Sequence, residues 1–280
     1  MSPPSYPDIS KAVRDFLKKN YNFGTIFFSH KGNHDFIDFT TRIDSLTDAH
    51  KTFGSIESKF KVEDYGFTLC EKWNTRDAIS ADLTFEDRII NGLKQTFRMT
   101  YDTFSGRTRA FVRNNYKAPS INAHLDFALK SSAPDVSASC VIGQRDYLLG
   151  LETVWDSSSN EFTQANVTVA YSVDVFTFYG SISNWAKVYS AGFYQKLTDR
   201  VSYAGETSWT RELPDIQWNI GFKFILDDSR NQVLKSKIDN QSRVCFSYKS
   251  KLTENLKVIL SAEINKSAPT LMGFGVQLER

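Results

Sequence analysis

The residues best suited to chemistry in this chain are positive charges at even spacing: Lys59 and Lys61, Lys94 and Arg98, and Arg107, Arg109 and Arg113. On an extended chain, even spacing puts side chains on one face. A row of cations there attracts anions and activates no nucleophile. Catalytic constellations are missing from the sequence: it holds no G-x-S-x-G elbow, P-loop, H-E-x-x-H or dinucleotide-binding glycine fingerprint. His30 and His34 are four apart, but Gly32-Asn33 between them reads as a turn, and two imidazoles without further ligands make a poor metal site. Cys70, Cys140 and Cys245 lack metal-ligand spacing, and they point to a reducing compartment without a disulfide framework. The expectation is no enzyme, no metal and no cofactor. A net charge of +2 is too small to imply nucleic-acid binding.

The elements that must carry these charges show a two-residue beat. From Ile216 to Phe224 a bulky apolar residue occupies every even position, and similar alternation marks Ile121–Leu129, Leu256–Ile264 and Met272–Leu278. Strands with one apolar and one polar face, repeated along a chain, fit a membrane barrel with a watery lumen. The chain has 41% hydrophobic residues, a mean hydropathy of −0.37 and no apolar run of 18 residues, which excludes a transmembrane helix but not a barrel. The opening residues lack the basic and apolar regions of a signal peptide, so secretion is not expected. Turn chemistry recurs at hairpin spacing, as at Lys31-Gly-Asn-His34, Ser105-Gly106, Ala118-Pro119, Asp156–Asn160 and Asp227-Asp228. At about ten residues per strand the chain has room for roughly 18–20 strands.

The first twenty-odd residues break the beat. Ile9, Ala12, Val13, Phe16 and Leu17 line one face of a helix, with Ser5 three residues before Asp8 as a capping signal. Amphipathicity alone leaves open whether this helix covers a core, enters a pore or lies on a membrane.

With bulky parity taken as lipid-facing, the wet parity carries Arg42, Lys59, Lys61, Lys72, Lys94, Arg98, Arg107, Arg109, Arg113, Lys130, Lys223, Arg243, Lys249 and Lys257. It also carries Asp38, Glu57, Asp82, Glu86, Asp102, Asp126, Glu152 and Glu263. A basic wall biases a pore toward anions while still passing both signs. Glu71 breaks the rule, sharing parity with Leu69 and Trp73 and so pointing into lipid.

Several motifs resemble one family. Pro3–Asp8 with Lys11, Arg14-Asp15 and Phe23-Gly24 is similar to the N-terminal helix of the mitochondrial porins, the voltage-dependent anion channels. Glu71-Lys-Trp-Asn-Thr75, Asn91-Gly-Leu-Lys94 with Thr96-Phe97, Tyr116-Lys117, Asn122–Phe127 and Gly273–Leu278 match its motifs in order and spacing. The resemblance implies an all-β fold: a transmembrane barrel of 19 strands, the family's documented number. Strands 1 and 19 would be parallel, with an amphipathic helix in or near the lumen. Residues 1–23 would form helix and hinge, and residues 24–280 the barrel.

The implied function is passive diffusion of ATP, ADP, phosphate and organic acids across the mitochondrial outer membrane, weakly anion-selective and voltage-gated. The resemblance further implies lipid contact, gating and hexokinase docking at Glu71, and nucleotide contact at Lys11 and Lys19. Its implied partners are membrane lipid, hexokinase, apoptosis-regulating proteins and other copies of the chain. A protein-import channel of the same architecture and a soluble all-β binding protein are the competing expectations. The chain departs from the family at Asn20-Tyr-Asn22-Phe-Gly24, where Gly24 alone remains of three hinge glycines. It departs again at Arg243–Tyr248, which replaces a glycine-rich strand tied to nicotinamide nucleotides, and at Leu271, where the sorting signal opens on a polar residue.

Overall fold

A computed structural model describes residues 2–34, 36–47, 49–62, 66–75, 78–129, 134–213, 215–266 and 268–280. Lys130 of the wet parity lies outside the described residues. The alternating segments become strands β1 Thr25–His34, β2 Ile37–Leu46, β3 Lys51–Val62, β4 Phe67–Asn74, β5 Ala78–Glu86 and β6 Leu93–Asp102. These continue as β7 Thr108–Lys117, β8 Ile121–Leu129, β9 Asp135–Gln144, β10 Tyr147–Asp156, β11 Glu161–Val173, β12 Phe176–Ser183 and β13 Val188–Lys196. The last six are β14 Val201–Thr210, β15 Gln217–Asp227, β16 Gln232–Asp239, β17 Val244–Thr253, β18 Leu256–Asn265 and β19 Ala268–Glu279.

Each strand pairs antiparallel with the next, and β1 closes on β19 in one 19-stranded sheet. An odd number of up-and-down strands brings the first and last together running the same way. The closing pair is accordingly parallel, from Ile26 opposite Phe274 to Lys31 opposite Glu279. Closure leaves no unpaired edge in lipid, where orphan backbone groups would be costly.

Aspartates close several hairpins. Asp102 Oδ1 accepts from the backbone N–H of Phe104 and Ser105 (2.9 and 3.0 Å), and Asp156 and Asp227 do the same for Ser158 and Ser229. These side chains replace backbone acceptors at the start of a turn. The turn expected at Lys31–His34 is instead the end of β1: Asn33 stands opposite Asp38 and donates to it at 2.6 Å. Gly32 is accommodated in the ladder, and the chain reverses only after His34.

The N-terminal segment forms a 3-10 turn, Tyr6–Asp8, then helix α1, Lys11–Lys18. Ser5 makes no cap to the helix backbone; its hydroxyl donates to the Asp8 carboxylate at 2.5 Å. Ala12 is exposed, while Ile9, Val13, Phe16 and Leu17 are buried against Val141, Ala170, Tyr179 and Ala204 of the wall. An eight-residue helix does not hold in water by itself. Burial of Val13, Phe16 and Leu17, worth roughly 1.5–3 kcal/mol each, holds this one.

Candidate functional site: the lumen and its helix

The helix identifies the inner face. A β-carbon on Gly221 would meet Leu17 and Phe16, so the odd positions of β15 point inward. Trp218, Ile220, Phe222 and Phe224 on the same strand are exposed on the outer face. Register carries this assignment around the barrel, since directly opposed residues share a face.

By that rule Arg42, Lys59, Lys61, Lys94, Arg98, Arg109, Arg113, Lys223, Lys249 and Lys257 stand on the inner face. Two charges expected on the wall are not in strands. Arg107 lies in the turn before β7, and Arg243 in the turn before β17, bonded through Nε to Asp239 at 2.7 Å. Each continues the inward parity of its strand, but pairing starts one residue later.

Charge is unevenly spread around the lumen. On β2 to β8 several of the cations have acidic neighbours: Arg42 with Asp44 (2.8 Å), Lys72 with Glu57 (3.4 Å), Arg98 with Asp82 (2.5 Å) and Arg113 with Asp126 (3.4 Å). Lys94 and Glu86 are 3.8 Å apart. On β15 to β18 lysines face lysines instead. Lys223 is opposite Lys235, and Lys251 is opposite Lys257. Lys257 pairs with Glu279, while Lys223, Lys235 and Lys249 make no ion pair among the described residues. This arc therefore holds positive charge that no carboxylate offsets locally at Lys223 and Lys249.

Alternation does not single out Lys235 and Lys237, because Val233, Leu234 and Ile238 around them blur the beat. The Lys-x-Lys spacing is itself the signal, since it puts both ammonium groups on one face. Both reach the end of α1, Lys235 Nζ donating to the Phe16 and Lys19 carbonyls (3.2 and 3.3 Å) and Lys237 Nζ to Leu17 (3.2 Å).

Elsewhere the segment is held by Tyr6 Oη against Thr168 Oγ1 (3.0 Å) and by Asn122 Nδ2 donating to the Pro3 carbonyl (3.0 Å). Burial pushes the Tyr6 hydroxyl above its ordinary value, and the Ser5 hydrogen bond, aided by Lys11 and Arg14, holds Asp8 below the usual carboxylate range. Lys11 is exposed and lies 3.6 Å from Asp8, and Lys19 is exposed at the helix end. Gly24 has φ 62°, which only glycine adopts freely, and is tied on both sides: its N–H donates to Met272 O (3.0 Å) and its carbonyl accepts from Thr47 (2.9 Å).

Glu71 stands on the outer face of β4, opposite Ser58 and Ala81, exposed and without an ion pair among the described residues. Cys70, Cys140 and Cys245 are free thiols.

A family described as "Eukaryotic porin" matches residues 2–275. The chain is 30% identical to the "Non-selective voltage-gated ion channel VDAC2" of Meleagris gallopavo, over 99% of this chain and 94% of that protein. It is 29% identical to the "Voltage-dependent anion-selective channel" of Drosophila melanogaster over the full length of both. Among solved structures, "Asymmetric conductivity of engineered proteins" superimposes with a TM-score of 0.53 at 12% identity, covering 80% of this chain and 96% of that one. A mutant of the Rh. blastica porin gives 0.50 at 10% identity, covering 89% and 94%. These two likenesses concern the fold alone. A closed barrel, apolar outside and charged within, joins with the full-length family match to one conclusion: the chain belongs to the eukaryotic porins and is a passive channel for small metabolites and ions.

Proposed function

We propose that this channel works in the mitochondrial outer membrane, passes nucleotides, phosphate and organic acids by diffusion, catalyses no reaction, and weakly prefers anions. The observation that carries the preference is the pair of lysines Lys223 and Lys249 on β15 and β17, without carboxylate partners among the described residues. Fixed positive charge beside confined water raises the local anion concentration, and the acid–base pairs on β2 to β8 add little net field to oppose it. Lys11 and Lys19, exposed on the helix, suit brief contacts with phosphate groups as point charges.

Glu71 is the residue we assign to the lipid-side role: a lone carboxylate on an apolar face contacts headgroups and offers a docking point for hexokinase and apoptosis-regulating proteins. Reversal potential in a potassium chloride gradient across a planar bilayer tests the main reading. A potential of the sign set by chloride supports it, and a cation-favouring potential overturns it. Co-fractionation with outer-membrane vesicles tests the location.

A further inference from the structure

Helix α1 ends without a glycine cap: Lys19 is extended, and its N–H already takes the Asp15 carbonyl at 3.1 Å. The carbonyls after Asp15 lack intrahelical donors and form the negative end of the helix dipole. The wall supplies what the helix lacks. Lys235 is a buried lysine, 7% exposed, and its ammonium points at the Phe16 and Lys19 carbonyls, with Asp15 O at 3.5 Å. Lys237 takes Leu17 O and lies 4.6 Å from the ring centre of Tyr21 and 5.8 Å from that of Phe23, within cation–π range.

The contact continues along the chain. Ser247 Oγ donates to the Asn20 carbonyl at 2.6 Å, and the Asn22 N–H donates to Ser261 Oγ at 3.2 Å. Lys235, Ser247, Ser261 and Gly273 are successive register partners on β16, β17, β18 and β19. One row of the wall, straight across four strands, is therefore shaped to receive the helix end and the strap that follows it. Long at Lys235, short at the two serines and absent at Gly273, its side chains match a segment that descends onto the wall.

We propose that Lys235 is the positioning residue of a latch that fixes α1 and the strap of residues 20–24 on β16–β19, and so limits how readily the helix moves within the pore. Two features make it a latch. The bonds to Phe16, Leu17 and Lys19 fall on carbonyls that have no other donor among the described residues, and the strap at the helix end is tied at Asn20, Asn22 and Gly24 in turn. Helix displacement must break the Lys235 contacts, because they fall on the Phe16 and Lys19 carbonyls at the helix end itself.

The test is a spin label on a cysteine placed at exposed Lys18, in a chain with Cys70, Cys140 and Cys245 replaced by alanine and reconstituted in vesicles. Lys235→Met keeps the length and removes the charge. Label mobility is expected to rise severalfold and voltage-driven closure to become more frequent, whereas Lys235→Arg restores the parent on both readouts. Ser247→Ala, which leaves every wall charge in place, is expected to loosen the label to a smaller degree. Lys223→Met removes a neighbouring charge without touching the helix and should leave the label immobile. An unchanged label in Lys235→Met, equal loosening in Lys235→Arg, or equal loosening in Lys223→Met overturns the latch. The latch rests on the chain being a pore, and single-channel conductance of each variant reads that separately.

Discussion

The carbonyl oxygen of Asn22 rests directly on Gly273, leaving no space for a β-carbon between the strap and β19. Gly273→Ala must therefore displace either the strap or the strand. Such overpacking costs about 1–3 kcal/mol. Denaturant unfolding in detergent micelles should show the loss. Gly180→Ala, where a β-carbon meets nothing within 4 Å, serves as the comparison and should fall within about 0.5 kcal/mol of the parent. Equal midpoints for the two variants would remove the packing argument.

The barrel is legible in the sequence because alternation is a local property of each strand: Ile216–Phe224 displays both faces without reference to anything else. The family motifs then supply the count and the parallel closure. The latch is not legible, because it depends on which residues stand opposite one another across four strands. Nothing in Ser247 or Ser261 taken alone marks a contact with Asn20 or Asn22, more than two hundred residues away in the chain. Turn boundaries mislead where glycine and asparagine lie inside a strand end, at Gly32 and Asn33. Inward apolar residues such as Phe27 also escape a two-face rule, since its ring is buried in the lumen beneath the Arg42 guanidinium at 4.6 Å.

Glu71 stands on the outer face of β4 between Ser58 and Ala81 in register. An acidic side chain on that face costs less than a lysine or arginine, roughly 1–2 kcal/mol at depth. Glu71→Leu should raise the unfolding free energy in micelles or bilayers by about that much. If the same variant also loses kinase docking in a sedimentation assay with vesicles, stability has been traded for the lipid-side role. A variant that is less stable than the parent would show that the carboxylate has a structural partner.

Asp8 gives the N-terminal segment a pH dependence. The Ser5 hydrogen bond and then Lys11 and Arg14 lower its folded value, so its contribution is fully present above the unfolded value of about 3.9 and is lost as pH falls through the folded one. The side chain is 39% exposed, and solvent screening keeps the contribution below about 1 kcal/mol. A label on the helix at Ala12 should therefore be unchanged from pH 7 to 5 and loosen slightly below about pH 4. Asp8→Asn should be slightly loose throughout and show no such step. A step centred well above pH 5 would assign the effect to another group.

Selectivity separates the two arcs of the lumen. Lys249 lies on the inner face of β17 opposite Val233 and Ile259, with no carboxylate in ion-pair range among the described residues. Its charge therefore acts on the lumen without local cancellation, within a screening length of about 8 Å at physiological ionic strength. Arg98 is cancelled by Asp82, with Nε to Oδ1 at 2.6 Å. Lys249→Gln should move the reversal potential toward cations, more so in dilute salt, where screening weakens. The double variant Arg98→Gln with Asp82→Asn removes one charge of each sign and should leave the reversal potential where it was. Were the double variant to shift it as far as Lys249→Gln does, the charge on the paired arc would be felt by passing ions as strongly as that on the lysine arc, and the lysines of β15 to β18 could not be the source of the anion preference.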